Sequence, residues 1–262
     1  MLTNVSILLK TFLRDRYLFE TVRVIENEMP DAQMIIVDDG DFTAHKRSLY
    51  HRLRQNGHVC LETAFDTGFG FKSNLGAAAC NRPYLLIGSD DFDFRGVRPG
   101  IEKLVKVLDA DVADIASGRV RNNPYEGWLI DNGLGEIRER YIAFEKPQTV
   151  DGVRYHKCEL TVNFSLIRRS ILGPDKIHWD NDVKIGGGEH GAFFVDVKRA
   201  GHRVVYVEGV NINEQPEQLT DPRYGAFRGR ARQPERPCFS RRGIKQYYCF
   251  DGTADIKWEL YR

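Results

Sequence analysis

Short apolar runs alternate with amphipathic stretches along the first hundred residues. Four runs have the composition of buried strands: residues 5–9, 34–37, 58–61 and 84–87. Between the first two, apolar residues recur at spacings of four, three and four from Leu18 to Met29, which predicts a helix ending before Pro30. Similar patterns predict helices at residues 73–80 and 101–108. Strands separated by helices predict an α/β fold with a largely parallel sheet, whose ligands bind at the carboxyl ends of the strands.

The pattern changes after about residue 118. Residues 119–150 hold Asn, Gly and Pro turns around short apolar segments, which predicts an antiparallel excursion over one face of the sheet. A strand, a helix and a strand are then predicted, in that order, at residues 158–167, 189–200 and 203–207. From residue 221 onward, ten basic residues stand against five acidic ones, with aromatic residues between them. We therefore expect a main domain over residues 1–220 and a basic, aromatic C-terminal extension over 221–262 that packs on it or projects from it.

Composition narrows the class of protein. The 262 residues carry 38 basic and 37 acidic side chains, and the formal charge of +1 excludes a globally basic nucleic-acid binder. No apolar run reaches the roughly 18–20 residues of a membrane-spanning helix. The N-terminal residues lack the pattern of a secretory signal. Five cysteines are scattered, which disfavours a disulfide framework and a cysteine zinc site. These features predict a cytoplasmic protein.

Two acidic pairs follow predicted strands. Asp38 and Asp39 follow the second strand, and Asp90 and Asp91, with Asp93 nearby, follow the fourth. Hard divalent cations such as Mn²⁺ or Mg²⁺ prefer carboxylate oxygens and often bind one or two carboxylates together with a diphosphate. An acidic side chain at the end of a neighbouring strand can accept hydrogen bonds from a ribose or a base. The alternative is that either pair caps the following helix or lies in a turn.

Two glycine-containing segments are candidates for close approach to a ligand. Gly68 and Gly70 precede Lys72 and Asn74 at a predicted helix start, where backbone N–H groups can meet phosphate or sugar. Their spacing matches neither a P-loop nor a Rossmann fingerprint, so a plain turn is the alternative.

The second segment comprises three consecutive glycines at residues 186–188, followed by Glu189 and His190. Either of these two side chains can serve as a general base that takes a proton from an attacking hydroxyl. The alternative is a glycine-rich turn in which Glu189 stabilises the first helical turn.

Six segments carry a family resemblance, in chain order: residues 10–14 (K-T-F-L-R), 38–39 (D-D), 65–74 (similar to F-G-K-G-W-F-A-G-R-N), 84–94 (similar to Y-V-L-W-V-D-D-D-F-V-F), 162–164 (V-N-F) and 189–194 (E-H-x-x-F-F). Together they resemble the motifs of β-1,4-N-acetylgalactosaminyltransferases of the ganglioside-synthase type, within the GT2-like GT-A glycosyltransferases. The resemblance spans about residues 5–214.

The resemblance implies a GT-A fold, in which a mixed, mainly parallel sheet is flanked by helices and binds a nucleotide-sugar. It implies inverting transfer of a hexose or an N-acetylhexosamine from a UDP-sugar to an acceptor hydroxyl, with Mn²⁺ or Mg²⁺ as cofactor. The implied nucleotide-binding residues are Thr11, Arg14, Asp38, Asp39, Lys72, Asn74 and Asp90. The implied main metal ligand is Asp91, and Asp93 and Glu214 are further candidate metal ligands. Glu189 is the implied catalytic base, and His190 is the second candidate.

The chain departs from the family pattern at three places. Ser89 stands where the first Asp of the family's acidic triplet is expected, and Ser73 stands where an Arg precedes the Asn. Asn213 and Glu214 stand where a metal-binding His is expected. Glu214 can replace that His as an oxygen ligand, which suits a hard cation.

The acceptor stays open between a glycan, a lipid-linked glycan, a protein and a modified base of nucleic acid. Aromatic residues at 125, 128 and 141 are expected to contact it, unless they pack under a hairpin. The basic and aromatic tail suits nucleic acid or an anionic membrane, or else packs on the main domain. Two rival functions are a non-catalytic UDP-sugar-binding module and a nucleotidyltransferase.

Overall fold

The computed structural model describes residues 1–141, 146–184, 188–216, 222–229, 237–250 and 255–259. Its helices are α1 (Asp15–Glu28), α2 (Ala44–Gln55), α3 (Phe69–Ala79), α4 (Arg98–Asp109), α5 (Glu189–Arg199), α6 (Pro222–Gly229) and α7 (Pro237–Ser240). Its strands are β1 (Val5–Thr11), β2 (Gln33–Asp38), β3 (Val59–Glu62), β4 (Tyr84–Ile87), β5 (Phe92–Asp93), β6 (Ile115–Val120), β7 (Gly127–Asp131), β8 (Glu136–Tyr141), β9 (Gln148–Val150), β10 (Val153–Cys158), β11 (Ser165–Arg168), β12 (Val204–Glu214), β13 (Gln246–Phe250) and β14 (Asp255–Glu259).

The main sheet is mixed, in the order β3-β2-β1-β4-β11-β6-β12-β10-β9, with β5 paired to β12. The first four strands in this order are parallel to one another. Strand β11 then runs antiparallel to both β4 and β6, while β6 and β12 are parallel. The predicted α/β class with a mixed sheet and flanking helices is confirmed.

The order in which strands are added across the sheet changes direction between β1 and β4, which are parallel neighbours. The chain moves outward from β1 to β2 and β3 and then returns to place β4 on the other side of β1. Helices α1, α2 and α4 pack in one apolar cluster, whereas α3 and α5 contribute to a second cluster. In open α/β sheets, such a switch point opens a crevice at the carboxyl ends of the two strands.

A smaller sheet joins the excursion to the C-terminal extension, in the order β14-β13-β8-β7. Strands β7 and β8 are antiparallel, as predicted, and β13 pairs in parallel with β8. Tyr247 of β13 is fully buried, and its hydroxyl donates to Glu139 Oε1 at 2.6 Å. Arg242 forms ion pairs with Asp180 and Asp196. Tyr247 and Arg242 therefore join the segment 237–250 to β8, to α5 and to Asp180.

Three details of the sequence prediction are wrong. The strand expected at residues 158–167 is two strands, because β10 ends at Cys158 and β11 begins at Ser165. Helix α2 was not predicted, since its buried face includes Lys46, which pairs with Asp15 and Asp38 instead of being apolar. Helix α3 begins at Phe69, four residues before the predicted start, after Gly68 at φ 99°.

Within the described part of the chain, no helix has the length and apolar character needed to cross a membrane. The predicted cytoplasmic location stays a prediction.

Candidate functional site

Charged side chains gather where β1, β2 and β4 end, on both sides of the switch point. Thr11, the last residue of β1, lies beside Asp38, the last residue of β2, and Leu8 of β1 lies beside Ile87, the last residue of β4. The polar residues that follow these three strands therefore share one edge of the sheet. They form two connected groups, one around Asp39 and one around Arg14.

The first group holds the carboxylate of Asp39. Asp39 Oδ1 pairs with the ammonium of Lys72, and Oδ2 accepts from the backbone N–H of Gly68 at 2.9 Å. Lys72 Nζ also donates to the carbonyl of Thr11 at 3.0 Å. Both side chains are buried. Because Lys72 comes from α3 and Asp39 from the end of β2, this pair joins α3 to the carboxyl end of the sheet.

Asp38 points to a different neighbourhood from Asp39. Its Oδ2 accepts from the hydroxyl of Tyr50 at 2.6 Å and lies 2.9 Å from Lys46 Nζ, both on α2. Its Oδ1 accepts from the N–H of Gly40 at 2.9 Å. The structure therefore ties the predicted nucleotide-binding residue Asp38 to α2 and separates it from the Lys72 group.

The second group is centred on the guanidinium of Arg14, which bridges two carboxylates. Arg14 Nη1 donates to Asp91 Oδ2 at 2.5 Å, and Nη2 donates to Asp90 Oδ1. Ser89 donates its hydroxyl to Asp91 Oδ1. The serine that replaces the family's first Asp thus positions Asp91. Burial opposes the charge of Arg14, but Asp90 and Asp91 outweigh it and raise the pKa of Arg14 above its usual value.

Asp90 is a fully buried carboxylate of this edge. No hydrogen bond reaches its Oδ2 from the described residues. Burial, with the nearby charge of Asp91, raises the pKa of Asp90 to about 6, although Arg14 acts in the opposite direction. A buried oxygen without a donor is suited to a further cation or a hydrogen-bond donor from a ligand.

Lys10 is a buried basic side chain of this edge that the sequence analysis did not assign to the site. Its Nζ donates to the carbonyl of Gly88 at 3.1 Å and lies 4.8 Å from the centre of the Phe69 ring. Burial and the neighbouring charge of Lys72 lower its pKa to about 7, against the opposing effect of Asp90 and Asp91. The signal was present in the sequence, because Lys10 opens the K-T-F-L-R segment.

Two of the predicted metal ligands have other partners. Asp93 pairs with Arg95 at 3.0 Å, and Glu214 pairs with Arg121. Across the β5–β12 pair, Asp93 lies opposite Asn213, so the next residue, Glu214, points to the other face of the strand. Over the residues that the structure describes, no three His, Cys, Asp or Glu side chains form a group able to hold a metal ion.

The two adjacent carboxylates of Asp90 and Asp91 nevertheless suit a hard cation. Mg²⁺ and similar ions are often held by one or two carboxylates, with substrate phosphates completing the coordination. The buried Oδ2 of Asp90, which has no hydrogen-bond partner among the described residues, supplies an oxygen of the required kind. The donor set therefore fits a cation that arrives with a diphosphate, without Asp93 or Glu214.

Asn74 and Gly70 hydrogen-bond to protein backbone. The Asn74 side chain donates to the carbonyl of Trp179 at 2.6 Å and accepts from its N–H at 2.9 Å. The N–H groups of Phe69 and Gly70 donate to the carbonyls of Lys184 and Val183. The loop therefore approaches the segment at 179–184, and these groups are engaged there.

Glu189 and His190 begin helix α5, after Gly188 in the left-handed region at φ 86°. The other two glycines of the run lie outside the described residues. One carboxylate oxygen of Glu189, Oε2, is buried. His190 Nε2 contacts the carbonyl of Thr161, and burial lowers the pKa of His190 to about 4. A carbonyl only accepts, so Nε2 carries the proton of the neutral ring and Nδ1 is its basic atom.

A short chain of contacts places this helix start at the same edge as Asp90 and Asp91. Ser165 of β11 lies opposite Ile87, the last residue of β4, and its hydroxyl bonds with that of Thr161 at 3.2 Å. The carbonyl of Thr161 in turn contacts His190. Because β4 leads directly into the Asp90–Asp91 pair, α5 begins beside the crevice.

The excursion reaches this helix start through Tyr125. The Tyr125 ring lies 5.6 Å from the His190 ring, centre to centre. Trp128 packs against the second apolar cluster, and the side chain of Tyr141 lies outside the described residues. Tyr125 packs against the same cluster as Trp128 and, in addition, contacts the ring of a candidate catalytic residue.

Helix α6 of the C-terminal extension lies over the ends of β1, β2 and β3. Tyr224 stacks on the guanidinium of Arg14 at 4.8 Å, and Phe227 contacts the rings of Phe12 and Phe65 at 5.0 and 5.5 Å. No signal in the sequence linked this helix to the strand ends, because the contact joins residues about two hundred positions apart.

Comparison with known proteins relates this arrangement to one group of enzymes. The chain is 30% identical over 199 residues to beta-1,4 N-acetylgalactosaminyltransferase 2 of Mus musculus, a match covering 73% of the chain and 36% of that protein. The chain thus spans about a third of the length of this relative. No family model matches the sequence.

Solved structures share the fold at low sequence identity. TarS residues 1–349 of S. aureus, in complex with UDP-GlcNAc, matches with a TM-score of 0.57 at 10% identity, over 82% of this chain and 59% of TarS. The mannosyltransferase PcManGT of Pyrobaculum calidifontis, in complex with GDP-Man and Mn²⁺, matches with a TM-score of 0.58 at 13% identity, over 87% of this chain and 61% of PcManGT. GalNAc-T7 with UDP, GalNAc and Mn²⁺ matches with a TM-score of 0.59 at 14% identity, over 81% of this chain and 44% of GalNAc-T7. The chain therefore has the GT-A glycosyltransferase fold and is a sequence relative of the β-1,4-N-acetylgalactosaminyltransferases, as its motifs predicted.

Proposed function

We propose that this chain is an inverting glycosyltransferase that moves a hexose or an N-acetylhexosamine from a UDP-sugar to an acceptor hydroxyl. The proposal is supported mainly by the observation that the candidate residues lie together at one edge of the sheet. The carboxylates and basic side chains after β1, β2 and β4 share it with the start of α5, where Glu189 stands. UDP-GlcNAc in TarS, and UDP with Mn²⁺ in GalNAc-T7, support a nucleotide-sugar donor of this class.

The nucleotide would lie across the switch point. Thr11, Arg14 and Asp39 are the residues proposed for the nucleoside, and Asp39 is held in place by Lys72 and Gly68. Lys10, Lys72 and Arg14 place three basic side chains beside the acidic ones. These charges offset the negative charge that grows on the departing diphosphate as the bond to the sugar breaks.

Asp91, with Asp90, would hold a divalent cation, Mn²⁺ or Mg²⁺, together with the diphosphate. Such a cation supplies Lewis-acid stabilisation of the leaving group when bound. Ser89 orients Asp91 for this role by donating to its Oδ1. Arg14 keeps both carboxylates close to each other in its bridging position.

Glu189 is the proposed general base. It would take the proton of the acceptor hydroxyl, which attacks the sugar from the face opposite the diphosphate, so a single displacement inverts the anomeric centre. His190 is the second candidate, because burial lowers its pKa to about 4 and so disfavours the protonated ring that proton transfer would form. Tyr125 is our proposed contact for the acceptor, and its ring contact with His190 supports this assignment.

Donor binding is the first test. Thermal unfolding would be followed with UDP-Glc, UDP-Gal, UDP-GlcNAc, UDP-GalNAc and UDP, each with Mn²⁺ and with EDTA. A donor at a hundred times its Kd stabilises the fold by about 2.7 kcal/mol, which corresponds to a rise in Tm of roughly 5–10 °C for a chain of this size. A set of nucleotides that leaves Tm unchanged would overturn the proposal.

UDP release in the presence of acceptors is the second test. Transfer to a glycan, a lipid-linked glycan or a protein supports the corresponding acceptor class. Transfer to DNA with a steep loss of rate at higher salt supports a nucleic-acid acceptor. Binding of a UDP-sugar with neither hydrolysis nor transfer would indicate a non-catalytic UDP-sugar-binding module instead of an enzyme.

A further inference from the structure

Arg14 engages both carboxylates that are proposed to hold the divalent cation. Its Nη1 donates to Asp91 Oδ2 at 2.5 Å and its Nη2 donates to Asp90 Oδ1, so one guanidinium spans the two side chains. The other oxygen of Asp91, Oδ1, accepts from the hydroxyl of Ser89. A divalent cation that bridged the two oxygens bound to Arg14 would therefore have to take the place of the guanidinium.

The charges of this group also set Arg14 against a divalent cation. Asp90 is fully buried, and the side chain of Arg14 is 11% exposed. Two carboxylates balance one divalent cation, whereas the cation and the guanidinium together exceed them by one positive charge. Lys10 and Lys72 add positive charge that acts on Asp90. Because unbalanced buried charge is costly, the cation requires either an accompanying anion or the departure of Arg14 from the carboxylates.

Two buried atoms of the group have no hydrogen-bond partner among the described residues. They are Arg14 Nε, a donor, and Asp90 Oδ2, an acceptor. An unpaired guanidinium N–H suits a phosphate oxygen, and an unpaired carboxylate oxygen suits a cation. The group therefore offers one atom to each half of a complex between a divalent cation and a diphosphate.

We propose that Arg14 makes binding of the divalent cation depend on binding of the diphosphate. As the counter-ion of Asp90 and Asp91, Arg14 competes with the cation for their oxygens, and Tyr224 of α6, 4.8 Å from its guanidinium, favours this position through a cation–π contact. A bound diphosphate offers the guanidinium another anionic partner, which leaves the carboxylates to the cation. This inference rests on the proposed function and adds the regulation of its site.

Binding of Mn²⁺ alone, measured by titration calorimetry on the full chain, tests the competition without a nucleotide. Arg14→Gln is expected to lower the Kd for Mn²⁺ about tenfold or more, because it removes the competing charge. Arg16→Gln is the matched control, since it removes a positive charge from an exposed residue two positions along, and it is expected to change the Kd less than twofold. If Arg14→Gln bound Mn²⁺ no more tightly than the wild type, the inference would be overturned, because Arg14 would then only hold the carboxylates in place.

Tyr224→Leu keeps Arg14 and both carboxylates and therefore tests the inference even if Arg14→Gln does not fold. It is expected to lower the Kd for Mn²⁺ alone about two- to fivefold, the size of a lost cation–π contact, whereas Tyr224→Phe keeps the ring and is expected to match the wild type. An unchanged or higher Kd in a folded Tyr224→Leu protein would overturn the inference.

The same titrations with saturating UDP measure the dependence itself. UDP is expected to lower the Kd of the wild type for Mn²⁺ about tenfold or more, and this factor is expected to shrink in Arg14→Gln. An equal factor in the two proteins would overturn the inference while leaving the proposed function intact. A wild-type chain that binds no UDP, with or without Mn²⁺, would overturn both.

Discussion

The buried ammonium of Lys10 makes a prediction about folding that does not depend on the donor. Lys10 is 8% exposed, and its one described hydrogen bond goes to the neutral carbonyl of Gly88. Burial lowers its pKa from 10.5 to about 7. At about 1.4 kcal/mol per pKa unit, this shift corresponds to a cost of roughly 4–5 kcal/mol for keeping the charge in the folded state at neutral pH.

The sign of the pH dependence follows from proton binding. The folded protein loses the Lys10 proton near pH 7, whereas the unfolded chain keeps it up to about pH 10.5. The unfolded state therefore binds more protons within this window, and Lys10 makes the protein more stable as pH rises from 7 toward 10.5. Below pH 7 the contribution is constant and unfavourable.

Lys10→Met removes the charge at nearly the same side-chain length. It loses the hydrogen bond to Gly88, which costs about 1 kcal/mol, so a net gain of roughly 3 kcal/mol in the free energy of unfolding is expected at pH 7. Urea unfolding of both proteins at pH 6, 7, 8 and 9 measures the difference, which should shrink as pH rises. A difference that is the same at every pH, or a variant less stable than the wild type at pH 7, would refute the reasoning.

Other predictions concern binding, catalysis and a close backbone contact. Asp91→Asn is expected to remove the Mn²⁺-dependent part of the Tm rise caused by UDP, and an unchanged Mn²⁺ effect would speak against Asp91 as a ligand. Glu189→Gln is expected to keep the Kd for UDP within twofold and to lower the transfer rate about 10²–10⁴-fold. Retained transfer would show that another residue is the general base. Gly70→Ala places a Cβ only 1.7 Å from the Asp180 carbonyl oxygen and is expected to cost about 1–3 kcal/mol in urea unfolding. Gly225→Ala, where no atom of the described residues lies within 4 Å of the added Cβ, is the matched control and is expected to leave stability equal or slightly higher.

The alternation of strands and helices was readable because burial on both faces makes parallel strands uniformly apolar. β1, β2 and β4 are buried along their whole length, and each was predicted within two residues of its bounds at either end. Helix α2 could not be recognised from apolar periodicity, because its buried face includes Lys46, whose charge is neutralised by Asp15 and Asp38. A pattern of apolar residues does not show a buried ion pair whose partners lie in other elements.

The sequence also did not show which neighbouring element each carboxylate contacts or on which face of its strand it lies. Asp38 and Asp39 are adjacent, yet one is bound to α2 and the other to Lys72 of α3. Asp93 and Glu214 were grouped with Asp91 by motif, whereas pairing of β5 with β12 turns them to opposite faces. Which way a side chain points after a strand depends on the turn that follows and on the elements packed there.

The sequence by itself determined the fold class and the edge at which chemistry is expected, because periodic burial and the order of the motifs are local properties of the chain. Only the tertiary structure decided which charges meet. It joined Arg14 to Asp90 and Asp91, brought the start of α5 to the end of β4, and laid α6 over Phe12 and Phe65. These contacts link distant segments, and they form because the crossovers of the sheet bring the strand ends together.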